Sequence, residues 1–145
     1  LIAGASVGRA EMPSGGLPSL DTYYAAHGTV RRMVVADIGT QLRRGVLEHC
    51  VLALLAPGER YGFDLVRSLG SVEGMAVSEG TLYPLLTRLR REGLVGTTWR
   101  DSPSGPPRKY YSLTDAGRAA LVSFVEEWGR FRDTVDRIIK GEIQP

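Results

Sequence analysis

His27 and His49 are the only imidazoles in this chain, and Cys50 is its only thiol. Neither histidine stands at metal-ligand spacing from another donor, and no phosphate-binding glycine loop or nucleophile motif occurs. His49 and Cys50 lie in an apolar run, where a core or interface role suits the imidazole and a buried small hydrophobe suits the thiol. Acid–base, nucleophilic and metal catalysis therefore lack a recognisable motif, and no enzyme, metal or cofactor is expected. The side chains that do cluster are cations. From Ser78 to Leu113, Arg88, Arg90, Arg91, Arg100, Arg108 and Lys109 face Glu79, Glu92 and Asp101, six bases to three acids, or +3 in a chain of net +2. Residues 1–40 and 41–77 each balance to zero, and residues 114–145 come to −1. Guanidinium and ammonium groups concentrated in one segment bind phosphate.

The element that carries half of these cations is S-E-G-T-L-Y-P-L-L-T-R-L-R-R-E-G-L-V, Ser78 to Val95. Leu82, Leu85, Leu86 and Leu89 recur at the spacing of one buried helix face. Ser78 suits the N-cap, and Val77 with Leu82 occupies the positions of a hydrophobic staple. Gly80 and Pro84 interrupt the helix chemistry, because Pro84 lies too far in to be harmless and forfeits a bond to the Gly80 carbonyl. At about 100° per residue, Gly80, Pro84, Thr87 and Arg91 point away from the leucines, with Tyr83 and Arg88 on the flanks. That outward strip starts small and ends basic, as suits a helix whose N-terminus approaches a phosphate backbone. An ordinary surface helix with incidental arginines has the same pattern.

Around it the chain reads helix, helix, helix, hairpin, long helix. From Gln41, Leu42, Val46, Cys50 and Leu54 make one apolar face and Leu47, Val51 and Leu55 another, so this helix needs partners on two sides. Pro57-Gly58 ends it. Tyr61–Gly70 predicts a short helix with Leu65, Val66 and Leu69 inward and Gly70 at its stop. L-V-G-T-T-W-R and R-K-Y-Y-S-L predict two strands joined by a long proline-stiffened tip, D-S-P-S-G-P-P. Thr114 caps a last helix to about Lys140, with Leu121, Phe124, Trp128, Phe131, Val135 and Ile138 forming a heptad-like seam that predicts a dimer interface. Trp128 at mid-seam is interface packing or a wall of an apolar ligand pocket. Residues 1–40 read as an N-terminal arm or upstream sequence, with Met12 and Met33 as candidate starts and some helix around Asp21–His27 or Val30–Ile38. At 145 residues the length suits one domain with an appended element. No run reaches the ~20 apolar residues of a membrane span, and the opening L-I-A-G-A-S-V-G reads poorly as a signal peptide, so the expected location is cytoplasmic.

Three short helices and a two-stranded wing make a winged helix-turn-helix: mainly α with a small β-hairpin, followed by a long C-terminal dimerisation helix. The segments V-S-E-G-T-L-Y-P-L-L-T-R-L-R-R-E-G-L-V and S-G-P-P-R-K-Y-Y-S-L-T-D-A-G-R, with L-R-R-G-V-L-E-H-C-V-L-A-L-L and Y-G-F-D-L upstream, resemble the PadR family of bacterial transcriptional regulators. The resemblance covers about Gln41 to Gly141, and the single C-terminal helix looks like the smaller subfamily. It implies a winged domain over 41–113, a dimerisation helix over 114–141 and a short tail over 142–145. It also implies a homodimer on a palindromic double-stranded operator, and repression relieved by a small aromatic or hydrophobic effector. Carried onto this sequence, the recognition helix offers Ser78, Gly80, Thr81, Tyr83, Thr87, Arg88 and Arg91, the wing base Arg108 and Lys109, and the effector pocket Trp128. Tyr61-Gly62-Phe63 departs from the family's usual His-Gly-Tyr. The alternatives from other classes are a winged-helix protein-interaction module and a small-molecule-binding protein with secondary DNA contact.

Overall fold

The computed structural model describes residues 20–143. The elements are α1 (Leu20–Leu55), β1 (Arg60–Tyr61), α2 (Gly62–Ser71), α3 (Glu79–Arg91), β2 (Val95–Ser102), β3 (Gly105–Leu113) and α4 (Asp115–Ile139). This is the mainly helical winged arrangement that the sequence predicts, with two differences at its margins. The arm expected over 1–40 lies outside the described residues up to residue 19, but from Leu20 the backbone is one helix straight into the stretch expected to begin at Gln41. The wing gains a third strand, in the order β1-β3-β2, with Arg60 opposite Tyr111 and Tyr61 opposite Tyr110. Two residues carry no alternation to read, so β1 left no pattern in the sequence.

One core joins the elements. Leu47, Val51, Leu52 and Leu55 of α1 meet Leu65 and Leu69 of α2, Leu82, Leu86 and Leu89 of α3, and Val95 and Tyr111 of the wing. Burying each leucine contributes about 2 kcal/mol. Val77 and Leu82 are both in this core, so the staple forms ahead of α3. The end of α2 differs from expectation. Gly70 lies inside the helix, which runs to Ser71, and the turn into α3 uses positive φ at Gly74 (82°) and Ala76 (39°) instead.

The far end of α3 is fastened to the start of α4. Gly93 takes φ 76°, and the N–H groups of Gly93 and Leu94 donate to the Arg90 and Leu89 carbonyls, closing the helix with a Schellman turn. The Thr114 hydroxyl donates to the Gly93 carbonyl at 2.6 Å and accepts from the Gly117 N–H at 3.0 Å, capping α4 as expected. A Cβ on Gly117 would sit 2.0 Å from the Leu94 carbonyl oxygen, so only glycine lets the first turn of α4 press on this junction. A change in the direction of α4 therefore has a short, stiff route to α3.

The hairpin tip is shorter than expected. Ser102 pairs with Gly105, leaving only Pro103 and Ser104 between the strands, and Asp101 stands against both Pro106 and Pro107 in a bulge. Prolines are tolerated there because β1 flanks β3 only at Tyr110 and Tyr111. Beyond them, one edge of β3 is open and needs no N–H.

Candidate nucleic-acid interface

Leu82, Leu86 and Leu89 anchor α3 in the core, and this fixes its opposite side to solvent. Ser78, Gly80, Thr81, Tyr83, Pro84, Thr87, Arg88, Arg90 and Arg91 are all exposed. Ser78 holds the N-cap position in an extended conformation, but its hydroxyl caps no backbone N–H and lies 3.3 Å from the Thr81 hydroxyl. The backbone closes this end instead, with Thr81 and Leu82 N–H both donating to the Ser78 carbonyl. The Glu79 and Gly80 N–H groups have no partner earlier in the helix, and they define the electropositive end of α3. Pro84 removes one bond farther along, and the Thr87 hydroxyl donates to the Tyr83 carbonyl at 3.0 Å.

The two flanks of α3 do different things. On the flank toward α1, the Arg88 guanidinium meets Glu48 at 2.5 Å and Glu92 at 3.1 Å. The hydrogen bond to Glu48, then that to Glu92, raises its pKa further. Arg88 thus ties α3 to α1 and is not the unengaged cation its place on the helix suggests. On the flank toward the wing, Tyr83 and Tyr111 close on Gly62. Partial burial, then the Glu79 carboxylate and Tyr61, raise the Tyr83 phenol pKa, which keeps it a neutral hydrogen-bonding group.

Between this flank and the wing lies a cleft of about 370 Å³, lined by Tyr61, Gly62, Tyr83, Thr87, Trp99, Pro107, Arg108, Lys109 and Tyr111. Four of the sequence candidates, Tyr83, Thr87, Arg108 and Lys109, come together there. Successive strand positions send Arg108 and Lys109 to different rings. The Arg108 guanidinium stands 5.0 Å from the Tyr61 ring centre, and the Lys109 ammonium 5.8 Å from Trp99 and 5.6 Å from Tyr111. Neither makes an ion pair among the described residues, nor do Arg90 and Arg91. Arg100 is engaged instead, paired with Glu59 and stacked 5.1 Å over Tyr110. Sequence reasoning missed Arg90, Trp99 and Tyr61. Arg90 was recoverable, since it sits about 20° from Tyr83 on the helix. Trp99 read only as a strand former, and Tyr61 as the start of the short helix.

The C-terminal seam has a separate setting. Leu121 packs on the winged-domain core, whereas Phe131 and Ile138 are exposed at 62% and 55%. Leu42 and Val46 of α1 face Phe124, Trp128, Phe131 and Val135 of α4 across an apolar groove of about 690 Å³. His49 stacks on Phe124 with centroids 4.0 Å apart, and Phe124 on Trp128 at 6.0 Å. Among the described residues no group of acids, histidines and cysteine forms a metal site, and no helix is long and apolar enough to cross a membrane.

The sequence profile of the transcriptional regulator PadR-like family matches residues 51–123. A transcriptional regulator of Mycobacterium tuberculosis is 40% identical over 82 residues, 57% of this chain and 75% of that protein. The negative transcriptional regulator PadR of Bacillus subtilis is 29% identical over 101 residues, 67% of this chain and 52% of its own length, so the chain spans about half of it. Among solved structures, a PadR family transcriptional regulator from Eggerthella lenta superposes with a TM-score of 0.70 at 35% identity, over 77% of this chain and 97% of that one. A PadR-like regulator from Bacillus cereus gives 0.63 at 40% identity, over 68% and 96%.

Proposed function

The chain belongs to the PadR-like family of transcriptional regulators, and from that premise we propose that it is a homodimeric repressor that binds a palindromic operator through α3 and the wing. Members of this family regulate transcription by binding DNA and are not enzymes. The observation that carries the finer reading is the cleft in which Tyr83 and Thr87 of α3 meet Arg108 and Lys109 of β3, two cations with no ion-pair partner among the described residues. Arg108, Lys109, Arg90 and Arg91 neutralise phosphates, and the Glu79 and Gly80 N–H groups at the helix start hold another. Tyr83 and Thr87 supply neutral hydrogen-bonding groups for base edges or sugars. Arg88 contributes through the placement of α3.

Dimerisation is supported by the apolar surface that α4 leaves exposed, above all Phe131 and Ile138. Two copies would set their recognition helices about 34 Å apart, in successive major grooves. Repression accords with the naming of the Bacillus subtilis relative as a negative regulator. Relief by a planar aromatic or hydrophobic effector is supported by the apolar groove beside Trp128, where stacked rings offer a flat wall. On this reading the protein works in the cytoplasm.

The test is a gel shift of the duplex upstream of its own gene at two salt concentrations, with sedimentation of the protein alone. A specific shift that weakens with salt and a dimer in sedimentation are expected. A protein that shifts no duplex at low salt is instead an interaction module or a ligand-binding protein. Quenching of emission by planar aromatics, lost in Trp128→Ala, checks the effector site, with Trp99 as the remaining emitter.

A further inference from the structure

Trp99 is 65% exposed on the wing. Its place is set by strand register: Trp99 pairs with Lys109, and Thr97 with the buried Tyr111, so alternation turns the indole to the same face of the hairpin as Tyr111. That face borders the cleft beside Tyr83 and Thr87 of α3. The hairpin does not need the ring to hold together, because the core residues of the wing are Val95 and Tyr111. A large apolar ring is thus exposed beside the cations Arg108 and Lys109 and the hydroxyls of Tyr83 and Thr87.

We propose that Trp99 is a DNA-contacting residue whose indole packs on the face of a deoxyribose in the operator backbone. The occupant follows from the chemistry around the ring. Lys109 sits 5.8 Å from the indole centre and makes no ion pair among the described residues, and Arg108 is its chain neighbour. A ligand filling this spot must present anionic oxygen and an apolar face within a few ångströms, repeated along a line. A sugar–phosphate backbone does so at every nucleotide. An apolar protein surface would leave these cations desolvated and unpaired. The contact rests on the DNA-binding reading above, and adds to it an uncharged share of affinity that releases no counterion.

Two measurements test it on the full-length protein with a duplex that the wild type shifts. Tryptophan emission of the wild type should change on adding duplex, and Trp99→Phe should lose most of that change. Trp99→Ala should bind roughly tenfold more weakly with the slope of log K against log salt unchanged, whereas Lys109→Ala should lower the slope. Equal affinity of Trp99→Ala and wild type, or an emission change that survives in Trp99→Phe, overturns the contact while leaving DNA binding intact. A wild type that shifts no duplex overturns both readings. Should Trp99→Ala not fold, by circular dichroism, the emission comparison still decides.

Discussion

Pro84 donates no hydrogen bond to Gly80, and both residues lie on the exposed side of α3 while three leucines bury the other. The helix keeps its shape through those leucines, so the missing bond weakens only the face assigned to DNA. Pro84→Ala should therefore stabilise the protein by about 1–3 kcal/mol, since alanine restores the bond and removes the ring's crowding of the Gly80 carbonyl. The same substitution should weaken or alter operator binding, because it changes the surface at the middle of the strip. Thermal unfolding and gel shift on one preparation check both halves; a simultaneous rise in stability and affinity would leave Pro84 without a role. Periodicity alone made this residue legible, as it did Thr87 and Arg91. It did not show the tie of Arg88 to Glu48, 40 residues away. A helical wheel encodes which way a side chain leaves the axis and carries no information about what another helix places opposite it. Ser78 shows the same limit in miniature: its type and position fit a cap, and its hydroxyl turned to Thr81.

At the level of elements, the junctions matter more than the elements themselves. Glu48 of α1 pairs with Arg88 of α3, and its neighbour His49 stacks on Phe124 of α4. One turn of α1 thus touches both α3 and the apolar groove. Replacing Glu48 by Gln and Arg88 by Ala, singly and together, should give a coupling energy of about 0.2–1 kcal/mol in denaturant unfolding, small because both side chains are partly solvated. Glu48→Gln alone should also shift operator affinity, since it loosens the seat of α3 without touching the DNA-facing strip. Additive unfolding energies and an unmoved affinity would reduce the pair to an incidental surface contact. The order of helices and strands was readable from hydrophobic period and turn residues, down to the Thr114 cap. The start of α1, the two-residue β1 and the short hairpin tip were not. The latter two depend on tertiary neighbours: a strand edge that accepts prolines, or a strand too short to show a pattern.

Across the whole molecule two surfaces divide the work. On the proposed reading the basic cleft between α3 and the wing takes DNA, and the apolar groove of α1 and α4 takes a second subunit or an effector. The α4 cap on Gly93 and the Glu48–Arg88 pair are mechanical ties between them. The sequence located both surfaces, because one is marked by a local excess of cations and the other by a stripe of large apolar residues. It did not show that the cations of the cleft are spread over aromatic rings, since those contacts arise only when β1, β2 and β3 are paired. The most direct test is a salt titration of binding to a duplex that the protein itself selects from random sequence, for wild type and for Arg108→Ala with Lys109→Ala. The wild type should select a palindrome with half-sites about one helical turn apart, and the double variant should bind more weakly with a slope lower by up to about four for the dimer. Selection of no sequence, or an unchanged slope in the variant, would contradict DNA recognition through α3 and the wing.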